Sequence, residues 1–175
     1  MTYANILTLV RLFLAPCIAY LFFLPGLPHT VAGGILLLAS AFTDVADGYL
    51  ARKRGEITLF GQIMDPIADK AVIFCSLAAL SLRYGLPWFI PGFYLAKEIV
   101  QVTAGAFFLR RRHCVISANW LGKGATSGFY GGILCFLFPL TRRLKILWFV
   151  LFVLSLCLSL LAGISYARQI RKRPG

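Results

Sequence analysis

Long apolar runs separated by short polar or basic breaks recur from one end of the 175-residue chain to the other. A helix that crosses the hydrocarbon core of a bilayer needs about 20 mostly apolar residues. Six such segments can be placed, at 5–24, 30–50, 62–82, 88–109, 125–140 and 146–166. The pattern predicts an all-α integral membrane protein, a six-transmembrane-helix bundle forming a single domain over residues 1–175. The first segment reads as a span and not as a cleaved leader. It lacks a basic stretch before its apolar core, carries Arg11 inside that core, and offers no small-residue cleavage site.

Composition agrees with a bilayer as solvent. The chain is 59% hydrophobic and 14% charged, with a mean hydropathy of +0.81, whereas soluble domains carry about 25% charged residues. Cys17, Cys75, Cys114, Cys135 and Cys157 are scattered, mostly in apolar runs, without CxxC or His-paired spacing. They read as small apolar residues and disfavour zinc.

The net charge of +12 is informative through its placement. With six spans and the N-terminus inside, one side holds Arg52, Lys53, Arg54, Arg110, Arg111, Arg112, Lys123, Arg168, Arg171, Lys172 and Arg173. The other holds Arg83, Arg142, Arg143 and Lys145. Basic residues mark cytoplasmic loops, so eleven against four puts both termini in the cytoplasm, with the cluster at 142–145 as the dissenting feature. Clusters at span ends have a sufficient reading as topology signals and anionic-lipid contacts, and nucleic acid is not expected as a partner.

Five of the six acidic residues fall between positions 44 and 69. Asp44, Asp47, Asp65 and Asp69 lie in or beside apolar spans, Glu56 lies in the connecting loop, and Glu98 stands in the fourth span. An aspartate at the centre of a span costs about 2.5–3.5 kcal/mol on insertion scales, so four of them point to function. At 3.6 residues per turn, Asp44, Asp47, Gly48, Ala51 and Arg52 share one stripe, and Gly61, Asp65 and Asp69 share another. A short loop makes the two helices antiparallel neighbours whose stripes can face each other. Two like charges about 6 Å apart at an effective dielectric near 20 repel by roughly 3 kcal/mol, so the cluster calls for a cation. Oxygen-only ligands select hard ions, which favours Mg²⁺ and admits Mn²⁺, as one ion or two. The competing structural reading pairs these acids with Arg11, Arg52, Lys70 and Lys97. That reading leaves the two aligned stripes and their interleaved glycines unexplained.

Read in order, Asp44-Val-Ala-Asp47-Gly48-Tyr-Leu-Ala51-Arg52, eight residues, Gly61, three residues, Asp65, three residues and Asp69 resemble the signature of the CDP-alcohol phosphatidyltransferases, with every fixed position filled. The likeness extends to the six spans, to Asn5-Ile6-Leu7-Thr8 with Arg11, and to Leu121-Gly122-Lys123 before the fifth span. It implies CDP-diacylglycerol as donor and CMP as leaving group. Metal held by Asp44, Asp47 and Asp65 would bridge the donor's pyrophosphate. Gly48, Ala51 and Gly61 would let the nucleotide approach the helix backbones, and Arg52 would offer a planar fork to phosphate oxygens. By the same resemblance Asp69 is the base for the acceptor hydroxyl and also a candidate metal ligand.

Within that family the chain is most similar to the phosphatidylglycerophosphate synthases, whose acceptor is glycerol 3-phosphate. The stretches that carry this likeness are residues 5–11 and 65–70, Glu98-Ile99, and Gly122-Lys123 with Thr126. Lys123, Arg110, Arg112 and Lys97 are the candidate acceptor-binding cations, with Arg110–Arg112 also serving as a topology anchor. Two departures keep other acceptors open. Lys97-Glu98-Ile99 stands where those synthases usually have Arg-Glu-Ile, and Ala125 stands where they usually have a second lysine. A cardiolipin synthase of the same family, using phosphatidylglycerol, is the alternative, followed by inositol-phosphate or serine acceptors. A metal-ion transporter, from a different class, would use the acids but not the interleaved Gly48, Ala51, Arg52 and Gly61. Gly124, Gly128 and Gly132 form a small-residue face on the fifth span that suits either packing within the bundle or a dimer seam. The resemblance implies a homodimer in the bacterial cytoplasmic membrane, with the active site facing the cytoplasm.

Overall fold

A computed structural model describes the backbone of residues 3–54, 59–112, 120–138 and 146–172, and the side chains of 8–43, 67–103, 120–138 and 146–165. Among the described residues there are six helices and no strand: α1 (Tyr3–Phe23), α2 (Leu27–Arg54), α3 (Leu59–Tyr84), α4 (Phe89–Arg112), α5 (Trp120–Leu137) and α6 (Leu147–Lys172). Each expected segment holds one helix. Most helices outrun their apolar segments, because backbone hydrogen bonding continues into the basic ends where hydropathy falls.

The first unit, Met1–Pro91, contains α1, α2 and α3. The buried face of α1 is Thr8, Arg11, Ala15, Ile18 and Phe22, a spacing of three and four residues that keeps one stripe inward. Both α2 and α3 pack on α1, and α2 also touches α3. The α1–α2 turn closes through Gly26, whose φ of 110° is open to glycine but not to most L-residues. The Gly26 carbonyl accepts from the Thr30 N–H at 3.3 Å and the Thr30 hydroxyl at 3.2 Å. A Cβ on Gly33 would lie 2.5 Å from the Phe22 ring and 3.4 Å from the Leu21 Cβ, so α1 and α2 meet at that level. The end of α3 turns through Gly85, at φ 73°, and the Leu86 N–H reaches back to the Leu80 carbonyl at 3.3 Å. The Thr30 and Tyr84 hydroxyls bond at 3.0 Å, joining the start of α2 to the end of α3. Four residues join the other ends of these helices, so α2 and α3 are antiparallel.

The second unit, Gly92–Gly175, contains most of α4 with α5 and α6. The Tyr94 ring meets Phe129 edge-on at 4.8 Å, and Phe129 lies 6.1 Å from Phe152. Gln101 of α4 donates to the Ser159 carbonyl of α6 at 3.0 Å. The glycine stripe of α5 packs within the chain. A Cβ on Gly132 would sit 2.8 Å from the Phe152 ring, one on Gly128 would collide with the Ser155 hydroxyl, and one on Gly124 would touch Leu158 at 3.7 Å.

Apolar side chains also cover outward faces: Phe13 and Tyr20 on α1, Ile35 and Phe42 on α2, Phe93 and Val100 on α4, and Leu160 on α6 are exposed. Among the described residues, only Leu147–Ser165 of α6 is long and apolar enough by itself to cross a membrane, with shorter apolar stretches at Thr8–Phe23 and Leu27–Thr43. Six helices stand where six spans are expected, and among the described residues one of them is clearly span-like.

Candidate functional site

Asp44, Asp47, Gly48, Ala51 and Arg52 lie on the last three turns of α2, and Gly61, Asp65 and Asp69 on the first three turns of α3. Pro66 does not break α3, which runs through it as one helix. Of these site residues only the Asp69 side chain is among those described; it is half-buried and interacts with neighbouring groups.

Backbone register sets the acids at similar heights on the two helices. Asp44 follows Thr30 by fourteen residues, and Asp69 precedes Tyr84 by fifteen. At 1.5 Å per residue both lie about 21–23 Å from the Thr30–Tyr84 bond, and therefore at one level of the antiparallel pair. By the same measure Asp47 and Asp65 lie about 4.5 and about 6 Å further on, respectively. The sequence stripes are thus side by side in height, as two antiparallel helices require.

Arg11 belongs to the same level. It lies ten residues before Leu21, and Asp44 lies eleven residues after Gly33, the residue Leu21 packs against. Arg11 is only 2% exposed, and Thr8, one turn away, is also buried. Both interact with neighbouring groups, as do Asp69 and Lys70. Neither Thr8 nor Arg11 was among the expected site residues. Their 3–4 spacing with Ala15, Ile18 and Phe22 was the available signal. Ser40, one turn before Asp44, buries a hydroxyl that makes no hydrogen bond.

The donor set fits a hard divalent cation: four carboxylates on two adjacent helices, with no thiolate or imidazole interposed in either stripe. Among the described residues no group of three or more metal-binding side chains occurs; Asp44, Asp47 and Asp65 have side chains outside that set.

The expected acceptor cations lie in the second unit. Lys123 is in the first turn of α5, exposed, with its ammonium 5.6 Å from the centre of the Trp120 ring. A cation there opposes the helix dipole, so helix stability does not account for it. Thr126 donates back to the Gly122 carbonyl at 3.2 Å, which engages its hydroxyl in the helix. Ala125 is 2% exposed, so a lysine at that position would have to thread out of packed surroundings. Arg110 and Arg112 lie on the last turn of α4, with side chains outside the described set. Lys97 is half-buried and paired with Glu98, which sequence alone left without a partner in its span. Removing one partner of a buried pair typically costs about 3–5 kcal/mol.

The sequence pattern of the CDP-alcohol phosphatidyltransferases matches residues 1–161. The chain belongs to the CDP-alcohol phosphatidyltransferase family. That family is membrane-bound and generally uses a divalent metal. Over 172 residues the chain is 35% identical to the probable phosphatidylglycerophosphate synthase of Mycobacterium tuberculosis, covering 96% of this chain and 81% of the relative. It is 27% identical over 163 residues to the CDP-diacylglycerol–glycerol-3-phosphate 3-phosphatidyltransferase of Yersinia enterocolitica, covering 91% and 90%. A CMP-forming cardiolipin synthase of Streptomyces coelicolor is 33% identical over 129 residues, 72% of this chain and 60% of that one. In this CDP-alcohol phosphatidyltransferase, Asp44, Asp47, Asp65 and Asp69 lie on α2 and α3, in the unit where Arg11 is buried.

Proposed function

We propose that this chain transfers the phosphatidyl group of CDP-diacylglycerol to glycerol 3-phosphate, releasing CMP, and that residues 1–175 act as one catalytic domain in the bacterial cytoplasmic membrane. The observation that supports the reaction class is that Asp44 and Asp69 lie at one level of antiparallel α2 and α3, the level at which Arg11 is buried. The acceptor rests on the relatives named for glycerol 3-phosphate and phosphatidylglycerophosphate, which match nearly the whole chain.

In this reading Asp44, Asp47 and Asp65, with Asp69 beside them, hold one or two Mg²⁺ or Mn²⁺ ions. A divalent ion bound there supplies Lewis-acid polarisation of the donor's phosphates and neutralises charge on the departing CMP. Asp69 takes the proton from the acceptor hydroxyl as its oxygen bonds to the lipid-side phosphorus and the bond to the CMP oxygen breaks. Gly48, Ala51 and Gly61 leave the helix backbones open to the nucleotide, and Arg52 holds phosphate oxygens. Lys123 offers a charge in the first turn of α5, where backbone amides and the helix dipole also suit an anion. Arg110, Arg112 and Lys97 are the further acceptor cations. Six spans with both termini cytoplasmic, and a homodimer, complete the reading; the basic-residue asymmetry supports the orientation.

A second reading, phosphatidylglycerol as acceptor, is favoured by Ala125 and by the likeness to the Streptomyces coelicolor protein. Purified protein supplied with CDP-diacylglycerol, Mg²⁺ and a panel of acceptors separates the two by CMP release and product mass. Glycerol 3-phosphate should yield phosphatidylglycerophosphate. Consumption of phosphatidylglycerol with no use of glycerol 3-phosphate would reject the assignment.

A further inference from the structure

The Lys97 and Glu98 side chains are 9% and 11% exposed and form an ion pair. The Lys97 ammonium also lies 4.6 Å from the centre of the Tyr94 ring and 5.2 Å from that of Phe129. The two rings are themselves buried and locked edge to face. Consecutive residues on a helix diverge by about 100°, so the pair closes only by directing both side chains to one place. A carboxylate and two ring faces from α4 and α5 therefore converge on one ammonium. This is the opposite of a lysine that extends its stem to the membrane surface with a freely turning head. An apolar residue at 97 could pack against the same rings without burying charge, so packing alone does not call for a lysine.

We propose that Glu98 is a positioning residue for the acceptor. It holds the Lys97 ammonium against Tyr94 and Phe129, so that the charge meets the acceptor's phosphate already oriented. A lysine loses much rotamer freedom when it grips an anion, and a preset ammonium avoids that loss on binding. This inference rests on the glycerol 3-phosphate reading.

The test is a double-mutant cycle on the full-length protein in detergent, with Glu98→Gln, Glu98→Asp, Lys97→Met and Lys97→Met/Glu98→Gln. Steady-state KM is measured separately for glycerol 3-phosphate and CDP-diacylglycerol, alongside Tm. Glu98→Gln should raise the acceptor KM roughly tenfold, as loss of a supporting partner commonly does, and leave the donor KM within about twofold. Glu98→Asp should recover part of the loss. Lys97→Met should raise the acceptor KM at least as far, and the double variant no further than Lys97→Met, because Glu98 acts through Lys97. If Glu98→Gln does not fold, the double variant, which buries no lone charge, carries the test. A double variant with wild-type acceptor KM would make the pair a purely structural lock and overturn the proposal. Wild-type protein that ignores glycerol 3-phosphate overturns the acceptor reading and this proposal with it. Wild-type turnover of glycerol 3-phosphate with an unchanged acceptor KM in the variants overturns the positioning role alone.

Discussion

The two units bury charge by different means. In the first, four aspartates occupy two adjacent helices, and the buried Arg11 lies at their level. In the second, Glu98 meets Lys97 and the pair is backed by aromatic faces. A buried pair that neutralises itself can serve structure alone. A set of like charges calls for something from outside, and a divalent cation carrying a pyrophosphate is the kind of visitor such a set accepts. The contrast separates two uses of buried charge: like charges gathered to receive a cation, and a cation held in place by its own partner.

Substitutions at the acids should have the largest effect. Asp44→Asn, Asp47→Asn and Asp65→Asn should lower turnover by roughly two to four powers of ten and weaken Mn²⁺ binding in parallel, as read by electron paramagnetic resonance. Asp69→Asn should lower turnover by a similar factor, as loss of a general base does, while changing donor affinity less. Equal losses of metal affinity at all four would make Asp69 a ligand and remove it as base. Arg11→Met tests the counter-charge. Deleting a buried cation among acids should cost about 3–5 kcal/mol of stability, seen as a lower Tm that added Mg²⁺ partly restores. An unchanged Tm would mean the acids do not lean on Arg11.

Smaller effects should come from the uncharged contacts. Gly128→Leu must displace Ser155 and spread α5 from α6, at about 1–3 kcal/mol. If the glycine face were a dimer seam, the variant would instead dissociate the dimer at constant monomer stability, which sedimentation in detergent would reveal. Tyr84→Phe removes the hydroxyl that ties α3 to Thr30 of α2 and should cost about 1 kcal/mol. No loss there would show that the register of α2 against α3 is fixed elsewhere.

Helix existence was legible in the sequence because apolar runs of span length are hard to read otherwise. Helix ends were not: α5 begins at Trp120, ahead of the expected 125, since Gly122, Lys123 and Gly124 depress hydropathy without preventing helical hydrogen bonds. The acid stripes were legible because period 3.6 is a property of one helix. Relations between helices were not. Arg11 could be seen as an odd residue in an apolar run, but its level with Asp44 depends on the contact of Leu21 with Gly33. The glycine stripe was visible too, while Ser155 and Phe152, the residues that fill it, lie on a different helix. Glu98 found its partner in the adjacent residue, a pairing that helix geometry disfavours and that Tyr94 and Phe129 make possible.

If the aspartates of α2 and α3 work only around a divalent cation, activity depends on that ion. The direct measurement is CMP release from CDP-diacylglycerol by the purified protein in excess chelator, followed by readdition of Mg²⁺ or Mn²⁺. Release should cease in chelator and recover with either ion; undiminished release in chelator would contradict a metal-dependent reaction.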